Sequence, residues 1–155
     1  MEKKQILIID NSGLSYIGSD INGPILRGTE TSLILLSEEL TKKNCDVFFA
    51  NKTNQEKSVN GVHYINEKNI NKEKTYDLAI AVSNANLFNK IKSVKKAIFS
   101  VSNQSLEKFL RKRQFISTYT HKPVIVTLCD YQFNKRSFLT SPFGKLTIPI
   151  TVDRQ

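Results

Sequence analysis

Gln5-Ile6-Leu7-Ile8-Ile9-Asp10, a glycine-punctuated loop from Asn11 to Arg27-Gly28-Thr29-Glu30, and the run Thr31-Ser32-Leu33-Ile34-Leu35-Leu36 together decide the fold. The first stretch is a continuous apolar run of strand length, the form of a strand buried on both faces. The last opens a helix, with Leu33, Leu36 and Leu40 on one face and an end near Lys43-Asn44. A buried strand that releases its chain into a helix N-terminus leaves backbone N–H donors unpaired there. Those donors and the positive end of the helix dipole suit a phosphate or another anion.

The same alternation continues along the chain. Asp46 to Ala50 reads as a second strand, and Asn60-Gly61 is a turn signal before a short third strand, Val62 to Ile65. Tyr76 to Val82 is a buried strand, Leu87, Phe88 and Ile91 suggest a short helix, and Ala97 to Val101 is a fifth strand. Ser105 is placed to cap a helix that turns Leu106, Phe109 and Leu110 inward. Pro123 to Leu128 is a sixth strand and Leu146 to Ile150 a seventh, with Pro149 confining the latter to an edge or a strand end. Strands alternating with helices specify βαβ units. The expected fold is therefore α/β: one Rossmann-like, doubly wound, mostly parallel sheet of about seven strands. Residues 1–155 form a single domain, with no repeat or linker.

The composition is that of an ordinary globular protein, 39% hydrophobic and 24% charged. A chain of 155 residues buries roughly 70% of its unfolded surface on folding. No apolar run approaches the ~20 residues of a membrane span. The first strand follows Lys3-Lys4 directly and is too short for a signal-peptide core. Cys45 and Cys129 lie in or beside apolar runs, where a free thiol behaves as a small hydrophobe, so a reducing cytoplasm is the expected setting. The net charge of +9 favours an anionic partner, with its densest cluster at Lys108, Arg111, Lys112 and Arg113. A solvated basic face accounts for that cluster equally well.

In a doubly wound sheet, ligands bind beyond the carboxyl ends of the strands. That selects Asp10 through Thr29, Ser83-Asn84, Ser102-Asn103-Gln104 and Cys129-Asp130-Tyr131. Several nucleotide chemistries drop out. The glycines Gly13, Gly18, Gly23 and Gly28 do not spell G-x-G-x-x-G, and the second strand ends in Asn51-Lys52 rather than an acid. No P-loop occurs, and Ile65-Asn66 stands where a phosphoreceiver would need an Asp. With His63 and His121 the only histidines and the cysteines far apart, no metal site or catalytic triad is specified. His63 reads as a structural or surface residue within a strand. His121 sits where the chain enters a strand, away from the binding edge.

Taken in order, the segments resemble the N-terminal domain of a GT-B glycosyltransferase of family 4, of the bacterial surface-polysaccharide type. The resemblance lies in Arg27-Gly28-Thr29-Glu30 opening the first helix, in Cys45 to Phe49, and in Tyr76-Asp77-Leu78-Ala79-Ile80. It extends through Asn103 to Gln114 and ends in Ile148-Pro149-Ile150-Thr151-Val152-Asp153. It implies one Rossmann-like half of a two-domain retaining enzyme, with the donor-binding C-terminal domain absent from this chain. It assigns Gly28, Thr29 and Arg27 to a loop approaching the donor diphosphate, although Arg27 stands where the family usually has glycine. A glycine that merely eases helix entry explains Gly28 as well.

For the saccharide or lipid-linked acceptor, the resemblance and the strand ends together select Asn11, Ser12, Ser83, Asn84, Ser102, Asn103 and Gln104, with the polar loop from Asn11 to Arg27 as the acceptor surface. Lys108, Arg111, Lys112 and Arg113 are candidates to contact a phosphorylated acceptor or anionic membrane lipid. The catalytic residue is unassigned, because no titratable group occupies Ser102-Asn103-Gln104 and amides are not general bases at neutral pH. Glu30 and Glu38 have the Glu-x7-Glu spacing that the family carries in its other half, a coincidence of position. No cofactor is implied beyond a nucleotide-sugar substrate of the full enzyme, which would act at the inner face of the cytoplasmic membrane. The alternative is a stand-alone basic module for nucleic acid or anionic lipid. Against nucleic acid, the chain lacks the interleaved aromatic and basic residues of a single-strand platform.

Overall fold

The computed structural model describes residues 2–24, 26–102, 106–108, 113–131 and 142–148. Among the described residues, eight strands form one mixed sheet: β1 (Lys4–Ile9), β2 (Cys45–Asn51), β3 (Lys57–Val59), β4 (Val62–Asn66), β5 (Thr75–Val82), β6 (Lys92–Ser100), β7 (Val124–Thr127) and β8 (Lys145–Thr147). Their order is β3-β4-β2-β1-β5-β6-β7-β8, parallel throughout except for the β3–β4 pair. Among the described residues, α1 (Gly28–Lys42) and α2 (Phe115–His121) are α-helices, and residues 106–108 are also helical. From β1 the chain works outward to one side through β2 and β4, then returns to β5 and continues to the other. The winding reverses between β1 and β5.

The alternation within β1 explains why both faces need covering. Ile6 and Ile8 point into one core with Leu33 and Ile34 of α1, Val47, Phe49 and Tyr64. Leu7 and Ile9 point into the other, with Tyr76, Ala79, Phe88, Ile98 and Leu106. α1 ends at Lys42, and Asn44 just beyond it takes a φ of 60°, the left-handed turn that lets the chain enter β2 at Cys45.

The eighth strand corrects the expectation of about seven. Lys57-Ser58-Val59 is too polar to signal a strand, but it lies at the sheet edge and pairs only with β4 across the Asn60-Gly61 turn. β6 also begins earlier than Ala97. Lys92 to Lys96 pair with β5 on one side alone, so their charges stay at the surface, while β7 joins from Ala97 onward. The short helix expected around Leu87 and Phe88 is the 3-10 helix Ala85–Lys90, with Ile91 just past its end. Cys129 is exposed, not a buried hydrophobe, because β7 ends at Thr127 and the chain leaves the core there. β8 is an edge strand as expected, whereas Pro149 and the rest of the Ile-Pro segment after Ile148 lie outside the described residues, as do Ser105, Phe109 and Leu110.

The loop after β1 is not simply a polar surface. Tyr16, Ile17 and Gly18 are buried, and Tyr16 meets Phe49 edge-on at 5.6 Å. The loop dives into the core because one apolar pair inside it offsets the cost of ordering the rest. A β-carbon added at Gly18 would come within 3.1 Å of the Tyr64 hydroxyl and of Val59. One added at Gly28 meets nothing within 4 Å. In urea unfolding, Gly18→Ala is therefore expected to cost about 1–3 kcal/mol through overpacking. Gly28→Ala should stay within about 0.5 kcal/mol of the parent, because its site is open and alanine suits a helix.

Candidate functional site

At the point where the winding reverses, the carboxyl ends of β1, β5 and β6 meet the N-terminus of α1 around a cleft of about 280 Å³. From β1 come Asp10, Asn11 and Ser12, and from the start of α1 come Arg27, Thr29 and Glu30. Val82, Ser83 and Asn84 follow β5, Val101 follows β6, and Lys108 and Gln114 come from the connection toward β7.

Of the residues singled out by sequence, the cleft gathers Arg27, Thr29, Asn11, Ser12, Ser83, Asn84 and Lys108. Gly28 lies exposed between Arg27 and Thr29, so space remains for a ligand to approach its backbone. Ser102 is adjacent to the lining residue Val101, and its carbonyl accepts bonds from Ser100 Oγ and the Leu106 N–H. Arg113 is exposed and does not line the cleft. Asn103, Gln104, Arg111 and Lys112 lie outside the described residues.

Buried polar groups that the sequence reading left unassigned hold this cleft in shape. The Asp10 carboxylate accepts the Ser12 N–H at 2.9 Å, the Ser12 hydroxyl at 3.0 Å and the Tyr16 hydroxyl at 2.6 Å. The first of these is an Asx turn, whose local signal is an aspartate ending a strand before Asn-Ser-Gly. The Tyr16 carbonyl in turn accepts from Asn51 Nδ2 at 2.7 Å, and Asn51 Oδ1 accepts the Thr53 N–H at 2.7 Å. Burial, then the Asp10 carboxylate, push the Tyr16 phenol above its ordinary range, so it serves as a standing donor. Glu30 is buried and accepts the Arg27 N–H at 3.2 Å, which satisfies one free donor at the helix start.

The outer rim has different chemistry. The amides of Gly28 and Thr29 open a helix of 15 residues and lack intrahelical acceptors. Arg27 and Lys108 bring positive charge to the same rim. Ser83 holds a φ of 52°, a left-handed conformation uncommon for serine, fixed by its N–H bond to the Phe99 carbonyl at 2.9 Å. Gln114 Oε1 accepts the Ala85 N–H at 2.8 Å and ties the connection after β6 to the one after β5. The site therefore combines free helix-start donors and positive charge with neutral hydroxyl and amide groups.

No protein-family model, curated protein or solved structure matches the chain.

Both histidines lie away from it. His63 in β4 is bonded to Ser58 Oγ at 2.8 Å and to Asp46 Oδ1 at 3.1 Å, and stacks on Phe48. His121 ends α2 and bonds Asn89 Oδ1 at 2.7 Å, its imidazole lowered from the ordinary range by burial and then by Lys96. Among the described residues, no group of three His, Cys, Asp or Glu side chains is placed to hold a metal ion, and no helix is long and apolar enough to cross a membrane.

Proposed function

We propose that this chain is the acceptor-side domain of a retaining GT-B glycosyltransferase. The full enzyme would pass a sugar from a nucleotide-sugar to a cell-surface glycan or lipid-linked acceptor at the cytoplasmic membrane. One observation carries the reading: Arg27 and Thr29 at the start of α1 share a cleft with Asn11, Ser12, Ser83 and Asn84. Helix-start amides and a guanidinium suit a diphosphate. Hydroxyls and amides that both donate and accept suit sugar hydroxyls.

Among the described residues the cleft offers no histidine, and its two carboxylates, Asp10 and Glu30, are engaged internally by Ser12, Tyr16 and Arg27. Its contribution is then positioning and charge stabilisation rather than proton transfer. A second domain would hold most of the donor, with this domain closing Gly28 and Thr29 onto the diphosphate.

A transfer assay tests this reading. The 155-residue chain alone should not turn over a nucleotide-sugar with a supplied acceptor. Joined to a donor-holding domain, transfer should fall roughly 100- to 1,000-fold on Arg27→Ala, the scale of removing one preorganised donor to a developing charge. Full turnover by the chain alone, or an unchanged rate for the Arg27 variant, contradicts it.

A further inference from the structure

We propose that a groove on the sheet face opposite α1 binds a small anionic amphiphile, a site that does not depend on the glycosyltransferase reading. The groove has a volume of about 370 Å³, within the range of small-molecule sites. Its origin is topological. The connection from β4 to β5 passes over this face from Glu67 to Lys74 with one 3-10 turn, Glu67–Asn69, where a crossover helix would otherwise cover the sheet. Lys74 covers part of the face, its ammonium 3.8 Å from the centre of the Phe48 ring. The part between this connection and the Ala85–Lys90 turn stays open.

Two kinds of chemistry meet in that opening. Ile9 and Ile91 are buried at its base, and Ile70 and Leu87 form half-buried walls. Lys68, Lys72 and Lys90 are exposed at the rim, opposed among the described lining residues by one carboxylate, Glu67. Among the described residues none of these three ammonium groups makes an ion pair. The aliphatic base gives a bare inorganic anion no advantage, and the lysine rim gives a neutral hydrocarbon none. A single-chain alkyl phosphate satisfies both, with its tail on the isoleucines and its head among the lysines. Asn11 borders both this groove and the cleft beyond β1, so an occupant would lie next to the proposed transfer site.

Calorimetric titration of the 155-residue chain with dodecyl phosphate below its micellar concentration tests the site. Saturable one-to-one binding is expected, with dodecyl maltoside and inorganic phosphate each at least tenfold weaker. A Lys68→Gln, Lys72→Gln, Lys90→Gln variant should lose roughly tenfold in affinity, since three modest charge contacts act together. A control with the same charge change at exposed Lys3, Lys57 and Lys95 should bind like the parent. A parallel arm with phosphatidylglycerol vesicles separates the sources. Selective loss of vesicle binding in the groove variant identifies a bilayer headgroup, and vesicle binding unchanged by that variant identifies a free amphiphile. Equal losses in the two triple variants, or no saturable binding of the monomer, would overturn the proposal.

Discussion

Asp10→Ala is expected to lower the unfolding free energy by about 3–4 kcal/mol, with buried, charge-assisted hydrogen bonds accounting for most of the loss. The carboxylate is 2% exposed and accepts from the Ser12 N–H, the Ser12 hydroxyl and the Tyr16 hydroxyl. Truncation removes those acceptors and strands a buried phenol, which is why the cost exceeds that of one exposed bond. Tyr16→Phe should cost less, about 1–2 kcal/mol, because the carboxylate keeps two donors while the ring keeps its contact with Phe49. The double variant should be less destabilised than the sum of the two, since removing either partner already breaks their shared bond. Urea unfolding of the four proteins measures the coupling. Strict additivity would mean that the Asp10–Tyr16 contact contributes nothing.

The second large effect is loss of stability in alkali. Tyr16 is raised above its ordinary range by burial, then by Asp10 and Glu30. Tyr64 is raised by burial, then by Glu38 and Asp20, and Tyr76 by burial. The sign follows directly. Below the unfolded-state pKa of about 10 these phenols are protonated in both states, so their stabilising contribution is complete. Above it the unfolded chain releases protons that the folded chain retains, and stability falls as pH rises. Tyr16 and Tyr64 together give a slope approaching about 3 kcal/mol per pH unit. Urea unfolding at pH 9, 10 and 11 should show steepening loss, with tyrosinate absorbance from these residues appearing only as the chain unfolds.

Tyr64→Phe separates two properties of that residue. Among the described residues its buried hydroxyl finds no hydrogen-bond partner. The substitution should be neutral or slightly stabilising at pH 7 while flattening the alkaline slope. A slope unchanged by Tyr64→Phe would show that the phenol ionises in the folded protein.

The parts of the fold visible in the sequence were those with dense local signals. β1 and β5 are nearly continuous apolar runs, and α1 carries its apolar stripe directly after the glycine-punctuated loop. Those elements suffice for a doubly wound sheet and for a site beyond β1 and β5. Polar strands were hidden for a physical reason. β3 at the edge and Lys92 to Lys96 in β6 pair on one side only, so backbone bonding holds them without hydrophobic residues. The descent of Tyr16 and Ile17 into the core was hidden too, because its anchors, Phe49 and Asn51, lie far away in sequence.

The candidate site divides in the same way. Arg27, Thr29, Ser83 and Asn84 follow from strand ends and the helix start, positions that the topology gathers around one cleft. The groups that shape the cleft, Asp10, Tyr16 and Gln114, depend on pairings that no local pattern announces. Asp10 carried only the weaker Asx-turn signal, which specifies a turn and not a partner.

The central claim, that the helix-start rim at the β1/β5 reversal is an anion site facing a polar cleft, is tested most directly by titrating the ¹⁵N-labelled chain with inorganic pyrophosphate. The expected result is a saturable set of amide shifts concentrated at Arg27, Gly28 and Thr29 and extending to Asn11, Ser12 and Ser83, and diminished by Arg27→Ala. If those amides stay unmoved while shifts scatter over the surface lysines, the cleft is not the site proposed here.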